Sequence, residues 1–141
     1  MMRQLAYAVL VLRALYELAR YDVTDALFGF GRIRSSLLAQ AAKSSAREQI
    51  ASERVAPEQL ECEQRVCDAV LLATCLYWKP VLCLQRSVCA TRVLRSRGVA
   101  ARLIIGYRPA PFFSHAWVEV GSRVVNDSPA YRSRLRVLHA L

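Results

Sequence analysis

Residues 97–127, with the sequence RGVAARLIIGYRPAPFFSHAWVEVGSRVVND, contain the change of hydrophobic period that decides the fold. Ahead of Gly98 the apolar residues recur at helical spacing, whereas after it they alternate with a period of two. Gly98 itself suits the left-handed position that ends many helices. We therefore predict three short antiparallel strands over residues 101–107, 114–120 and 123–127.

Two breaks separate these strands. Pro109 and Pro111 mark a loop between the first and the second strand, and Gly121 with Ser122 marks a tight turn between the second and the third. Immediately before the sheet, residues 80–97 are predicted to form a helix, because proline suits the first turn of a helix.

Two helices are predicted at the N-terminus. The first, over residues 3–20, has an apolar and a charged stripe, formed by Leu5, Val9, Leu12 and Tyr16 and by Arg13, Glu17 and Arg20 respectively. A break at residues 21–25 follows, where Asp22 or Thr24 is a candidate N-cap for the second helix. The second helix extends to about residue 42, and its apolar residues are Leu27, Phe30, Leu37 and Ala41. Gly29 and Gly31 each weaken it by about 1 kcal/mol.

A polar stretch over residues 43–58 is the best candidate for a linker or an exposed turn. Pro57 suits the first position of the next helix, which is predicted to run to about Trp78. The residues of this helix at core-facing spacing are Cys67, Val70, Leu71, Thr74 and Trp78. Helices thus come first and an antiparallel sheet comes last, which predicts an α+β fold.

Length and composition favour one compact domain over residues 1–141, with a mass of 15.9 kDa. Apolar residues make up 55% of the chain and charged residues 22%, so the chain can bury a core and has no disorder signature. The formal net charge is +9, which attracts acidic peptides, nucleic acid or anionic lipid without choosing among them. No recognised nucleic-acid motif is present, and we interpret the arginines of the N-terminal helices as surface residues.

The cysteines, the apolar runs and the histidines indicate the cellular compartment and whether the chain spans a membrane or binds a metal. Five cysteines without a C-x-x-C pair, and no secretory signal ahead of them, predict a reducing cytoplasm. The uncharged run over residues 4–12 is far shorter than the ~20 residues that span a bilayer, so we expect no membrane span. With His115 and His139 as the only histidines, we expect no structural metal.

Three residues have the types and positions that a thiol nucleophile needs. Cys83 falls in the first turn of the predicted helix over residues 80–97, where unpaired N–H groups and the helix dipole favour a thiolate and an oxyanion. His115 opens the second strand and is the candidate base, and Asp127 ends the third strand and is the candidate group that orients the imidazole.

The parity of the Gly121–Ser122 turn decides whether His115 and Asp127 share a face of the sheet. A two-residue turn leaves Asp127 on the other face, whereas a three-residue loop places it opposite His115, so we expect an odd loop or a bulge. Glu119 shares the face of His115 but lies ~13 Å along the strand. Asn126 points to the opposite face, although a bulge would exchange it with Asp127.

Plainer roles stay open for each of these residues. The other cysteines, namely Cys62, Cys67, Cys75 and Cys89, are expected to be small core residues. Asp127, followed by Ser128 and Pro129, also suits a turn cap, and His139 is expected to belong to the tail. Arg86 and Ser87 either border a substrate groove or lie on a solvated helix face.

Several motifs in residues 78–129 together resemble the transglutaminase-like leader peptidases of lasso-peptide biosynthesis. The motifs, in order, are WKPVLCLQRS (78–87), RGVAARLIIGY (97–107), PFFSHAWVEV (111–120) and VVND (124–127). The resemblance implies a papain/transglutaminase-like cysteine peptidase core over residues 57–141, behind a helical part over residues 1–56. It also implies a Cys-His-Asp triad of Cys83, His115 and Asp127, which removes the leader from a ribosomally made precursor and needs no cofactor.

The resemblance further implies partners. The N-terminal helices lack the strand pattern of a leader-binding winged-helix module, so the chain is similar to the stand-alone form whose leader-binding protein is separate. The freed amine of the precursor would pass to an ATP-dependent lasso cyclase. Two alternatives stay open: amide or acyl transfer on the same triad, and a basic non-enzymatic protein that binds other proteins or nucleic acid.

Overall fold

The computed structural model describes residues 1–48 and 56–141 and has an α+β architecture, as the sequence predicts. Its elements in chain order are α1 (Met2–Glu48), α2 (Pro57–Leu76), α3 (Cys83–Ser96), β1 (Ala101–Pro109), β2 (Phe112–Val120), β3 (Arg123–Val124), α4 (Ala130–Arg134) and β4 (Arg136–Ala140). None of the helices in these two ranges is long and apolar enough to cross a membrane.

The four strands form one antiparallel sheet in the order β3-β2-β1-β4. β1 and β2 pair along their full lengths, from Ala101 opposite Val120 to Pro109 opposite Phe112. The sequence pattern predicts neither α4 nor β4, and the expectation that His139 belongs to a tail is wrong, because His139 pairs with Ile105. β4 is a short edge strand. Its composition does not predict a strand, and it is extended because it pairs with β1.

The N-terminal helix differs from its prediction. The chain stays helical through residues 21–25 and is interrupted at Gly29, where φ is 70° and ψ is 177°. Neither candidate cap acts as one, because the Thr24 hydroxyl donates to the Arg20 carbonyl oxygen and the Asp22 carboxylate contacts residues outside α1. Part of the predicted 43–58 linker is instead helical at the ends of α1 and α2, and residues 49–55 lie outside the described ranges.

The main core lies between the helices and one face of the sheet. Its buried residues come from α1, α2, α3, β1 and β2, and the largest groups are Leu10, Val11, Ala14 and Leu18, then Val66, Ala69, Val70 and Ala73, then Cys89, Ala90, Val93 and Leu94. Two predicted core positions of the second helix are wrong, because Leu71 is exposed and Trp78 lies beyond the end of α2 with 80% of its surface exposed.

The apolar stripe of α1 and one residue of its charged stripe have the opposite burial from what their polarity predicts. The apolar stripe of Leu5, Val9, Leu12 and Tyr16 is exposed, and Glu17 of the charged stripe is 1% exposed. Glu17 is tolerated in the core because its carboxylate lies 2.8 Å from Arg13, 3.5 Å from Arg20 and 3.6 Å from the buried Arg92. Charge pairing across α1 and α3 therefore outweighs simple hydrophobic periodicity here.

Helix α3 begins at Cys83 rather than near Pro80, with Leu82 as its N-cap. Its predicted end at Gly98 is confirmed, since Gly98 has a φ of 80°. The amide of Gly98 donates to the Arg95 carbonyl and that of Val99 donates to the Leu94 carbonyl, which together close the helix. Cys83 is thus the first helical residue.

The other face of the sheet has a smaller core in which Trp117, Ile104 and Leu135 are buried. Gly106 makes this core possible, because a Cβ atom there would lie 2.6 Å from Trp117 Cη2 and 3.0 Å from Leu135 Cβ. Burial of the Trp117 ring therefore requires glycine at position 106.

Replacing this glycine tests the close approach. Gly106→Ala should lower the free energy of unfolding by about 1–3 kcal/mol, because the new methyl group overpacks the site. Gly31→Ala is the matched control: nothing lies within 4 Å of its Cβ position, and alanine in a helix should raise stability by up to about 1 kcal/mol. Urea unfolding of both variants measures the difference, and equal stabilities would contradict this packing.

Candidate active site

Cys83 is held at the N-terminal end of α3 against the sheet. Its side chain is half-buried and packs on the buried cluster of Tyr21, Ile33, Leu37, Val88, Leu103, Ala116 and Leu141. One helical turn later and on the same face, the Ser87 hydroxyl donates to the Ala116 carbonyl oxygen at 3.0 Å. This bond sets the position of the start of α3 along β2, one residue from His115.

His115 and Asp127 are in direct contact, as the strand positions predict. The imidazole Nε2 lies 2.9 Å from Asp127 Oδ2. An ionised carboxylate only accepts hydrogen bonds, so Nε2 carries the proton and Nδ1 of a neutral ring is left as the acceptor. The arrangement fixes the tautomer that a general base facing a thiol requires.

The turn that leads to Asp127 is not the expected odd-residue loop, so that expectation is wrong. The Gly121–Ser122 turn has two residues and pairs Val120 with Arg123. A positive φ at Gly121, with none at Ser122, suits a type II′ hairpin turn. β3 then ends at Val124 and the chain bends, so strand parity no longer determines where the side chain of Asp127 points.

Asn126 replaces the backbone of β3 where that strand leaves the sheet. Its side-chain oxygen accepts a hydrogen bond from the Val118 amide at 2.7 Å, and its side-chain nitrogen donates to the Ser87 hydroxyl at 3.1 Å. Asp127 contacts both His115 and Arg86 of α3, so the prediction that these neighbours point to opposite faces of the sheet stays a prediction. Asn126 joins β2 to α3. Its role in joining α3 to the sheet is not predictable from the sequence pattern.

Asp127 has two further partners. Arg86 of α3 donates from Nη2 to the same Oδ2 at 2.7 Å, and the Ser128 amide donates to Oδ1 at 2.8 Å. Burial disfavours the charged carboxylate, but the hydrogen bonds from His115 and Ser128 and the charge of Arg86 outweigh it and hold the pKa of Asp127 below its ordinary value. Asp127 is thus an ionised carboxylate at neutral pH.

An aromatic cluster surrounds the imidazole. The Tyr131 ring of α4 stacks on His115 with centroids 4.0 Å apart and an interplanar angle of 30°. Phe113 and Trp117, two residues before and after His115 on β2, lie 6.1 Å and 6.5 Å from it. The stacking of Tyr131 on His115 is not predictable from the sequence, because α4 is very short and its position over β2 depends on the bend at Asp127.

The thiol and the imidazole are not joined by a hydrogen bond in the part of the chain that the structure describes. Side chains alternate along β2, so that Ala116 packs toward α3 whereas His115 stacks on Tyr131. Ala116 and His115 therefore lie on opposite faces of β2. Catalytic hydrogen bonds of this kind often tighten only when substrate binds, and the pairing of Cys83 with His115 stays a prediction.

The remaining cysteines differ in environment. Cys89 is buried, its thiol donates to the Ala14 carbonyl at 3.4 Å, and burial raises its pKa to about 12. Burial also raises the pKa of Cys67 to about 12. The expectation of a core position is wrong for Cys75, which is exposed. Among the described residues, no three His, Cys, Asp or Glu side chains are grouped so that they could hold a metal ion.

A cysteine at the start of a helix that packs against an antiparallel sheet, with a histidine of that sheet paired to an aspartate just beyond it, is the arrangement of a transglutaminase-like α+β domain. The profile of the Transglutaminase-like superfamily matches residues 18–140, and the chain belongs to that superfamily. The transglutaminase-like class predicted from the sequence is therefore confirmed.

One curated relative shares a shorter segment. Over 56 residues the chain is 50% identical to the microcin J25-processing protein McjB of Escherichia coli. The match covers 40% of this chain and 27% of that protein, so it spans about a quarter of the relative's length. No solved structure matches the chain.

The lowered pKa of Asp127 predicts how its contribution to stability depends on pH. A carboxyl whose folded pKa lies below the unfolded value of about 3.9 stabilises the fold above that value, and the contribution is lost as pH falls through the folded pKa. The stability difference between wild type and Asp127→Asn should therefore be larger at about pH 5 than at about pH 3.

Urea unfolding across this pH range measures the difference. Asp25→Asn removes an exposed carboxylate of α1 and serves as the control for the loss of one negative charge. A difference for Asp127→Asn that grows toward low pH would contradict the sign of the shift.

Proposed function

We propose that this chain is a cysteine peptidase that removes the leader from a ribosomally made lasso-peptide precursor, with Cys83, His115 and Asp127 as the catalytic residues. The observation that carries the proposal is the His115–Asp127 contact of 2.9 Å, on the strand against which the helix of Cys83 packs. Membership of the transglutaminase-like superfamily and the similarity to a microcin J25-processing protein support it.

In the proposed reaction, the Cys83 thiolate attacks the carbonyl carbon of the scissile amide. The free amides of the first turn of α3 stabilise both the thiolate and the oxyanion of the tetrahedral intermediate. His115 takes the thiol proton on Nδ1 and delivers it to the leaving amine. Water, deprotonated by the same ring, then hydrolyses the thioester and restores the thiol.

Asp127 keeps the ring of His115 in its productive orientation and stabilises the imidazolium that forms. Arg86 acts through Asp127, because a guanidinium 2.7 Å from Oδ2 favours the charged carboxylate. The proton on Nε2 therefore stays with the imidazole, and Nδ1 remains available to the thiol.

The proposal includes partners and a location. The precursor peptide is the substrate, a separate leader-binding winged-helix protein presents it, and an ATP-dependent lasso cyclase takes the freed amine. The chemistry uses side chains alone and calls for no cofactor. Free thiols in an uneven number suit a cytoplasmic location.

Removing the nucleophile tests the chemistry directly. Cys83→Ala should abolish precursor cleavage and leave the fold intact, because the side chain is half-buried at a helix end. Cys89→Ala and Cys75→Ala should retain most activity, since a thiol with a pKa of about 12 is a poor nucleophile and Cys75 lies at the far end of α2. Asp127→Asn should lower turnover by about 10²-fold or more.

Mass spectrometry of the products identifies the reaction. Hydrolysis adds the mass of water to the leader, whereas amide or acyl transfer adds the mass of an acceptor amine. Cleavage that survives in Cys83→Ala, or that is lost in Cys75→Ala, would overturn the assignment of the nucleophile.

The proposed partner predicts a salt-dependent stimulation. A leader-binding protein should accelerate single-turnover cleavage by raising the local concentration of the peptide. The chain carries a net charge of +9, so the stimulation should weaken as salt screens an acidic partner or leader. Efficient cleavage by this chain alone, unchanged by any partner at every salt concentration, would contradict this part of the proposal.

A further inference from the structure

An exposed apolar stripe runs along α1 on the side away from the core. Its positions are spaced alternately four and three residues apart and are Leu5, Val9, Leu12, Tyr16, Ala19, Val23 and Ala26. The five larger side chains are between 52% and 69% exposed. At 1.5 Å per residue the stripe is about 30 Å long. Large apolar side chains rarely form so long an exposed row without a partner.

The spacing indicates the shape of the partner. Apolar residues that alternate at intervals of three and four form the seam of a coiled coil, in which a second helix lies along the first. Ala19 and Ala26 allow the backbone of such a helix to approach closely, and Tyr16 supplies a large central contact.

The charge beside the stripe indicates the chemistry of the partner. Arg13 and Arg20 lie on one edge of the stripe, with side chains 47% and 41% exposed. Both contact Glu17, as does the buried Arg92, so three arginines share one carboxylate and an excess of positive charge remains. In coiled coils the residues that flank the seam pair with opposite charges and select the partner.

We propose that the apolar stripe of α1 is a docking surface for an amphipathic helix of another protein, whose apolar seam is flanked by Asp or Glu. The proposal goes beyond the proposed peptidase activity and holds whether or not Cys83 cleaves peptides. The acidic flank would pair with Arg13 and Arg20, which supply the excess positive charge at this edge.

A second copy of this chain fits the stripe less well. In an antiparallel pair the basic edges meet, so that Arg13 faces Arg20 of the other copy. In a parallel pair the arginines face Ala8 and Leu15, which offer no charge. Neither arrangement supplies a carboxylate to the basic edge.

A membrane surface also fits less well. Helices that lie in a bilayer interface carry cations along both edges of the apolar face. Here the opposite edge contains the half-buried Leu15 and Asp22, and Asp22 is paired with Lys79 at 2.7 Å. Only one edge of the stripe is basic, and the stripe has the residue spacing of a coiled-coil seam. Both features favour a helix of another protein over a membrane as the partner.

Two synthetic peptides of about four heptads test the proposal, both with leucine at the seam positions and with either glutamate or lysine at the flanking positions. Each peptide carries a fluorophore, and its anisotropy is measured as the full chain is added. The glutamate peptide should bind and its affinity should fall with added salt, whereas the lysine peptide should bind at least about tenfold more weakly.

Variants locate the binding surface. Leu12→Gln, at the exposed centre of the stripe, should weaken binding of the glutamate peptide by about tenfold or more. Leu60→Gln changes an exposed leucine of α2 outside the stripe and should leave binding unchanged, as should Cys83→Ala. The last result separates this proposal from the proposed peptidase activity.

Several outcomes would overturn the proposal. They are no binding of the glutamate peptide, equal binding of both peptides, and binding that Leu12→Gln does not weaken. Sedimentation of the chain alone and flotation with phosphatidylglycerol vesicles complete the test. A dimer, or vesicle binding, that is lost in Leu12→Gln would assign the stripe to a second copy or to a membrane instead.

Discussion

One carboxylate oxygen, Asp127 Oδ2, joins the two elements that form the candidate site, strand β2 and helix α3. It accepts from the imidazole of His115 on β2 and from the guanidinium of Arg86 on α3. A carboxylate that is partly removed from water is costly unless it is paired, and here the imidazole comes from β2 and the guanidinium from α3. The orientation of His115 and one of the contacts that hold α3 against the sheet therefore depend on the same atom.

This convergence is possible because β3 stops early. A longer regular strand would have placed the side chain of Asp127 according to strand parity, on the face away from His115. Asn126 compensates for the lost strand by satisfying the Val118 amide with its side chain, and Ser87 ties the same asparagine to α3. Asn126 thus hydrogen-bonds β2 in place of a strand backbone, whereas the adjacent Asp127 lies outside the sheet and contacts His115.

The parts of the fold that local chemistry determines were predictable from the sequence. Pro57 begins α2, Gly98 ends α3, and the period of two gives β1 and β2. In the site, the motifs placed Cys83 at the start of a helix and His115 on β2, whereas Asp127 lies beyond β3 rather than at its end. The contact between His115 and Asp127 is present. The catalytic roles remain part of the proposal.

The parts that depend on tertiary contacts were not predictable. The helix break falls at Gly29 rather than at residues 21–25. The Asp22 carboxylate is engaged by Tyr77, Lys79 and Gln85 instead of capping a helix. The burial of Glu17 requires Arg92 from α3, which no local pattern reveals. Arg86, Asn126 and Tyr131 likewise gain their roles only when separate elements meet.

The contacts of Asp22 also determine how the segment around Cys83 is attached to the rest of the molecule. Tyr77 and Lys79 precede Cys83 in the chain and Gln85 follows it, and all three contact this one carboxylate of α1. Burial opposes the charge of Asp22, but the hydrogen bonds from Lys79 and Tyr77 outweigh it and keep its pKa low, so the anchor is charged at neutral pH. The segment that contains Cys83 is thereby joined to α1 on both sides of this residue, and a tilt of α1 displaces the sulfur atom along with it.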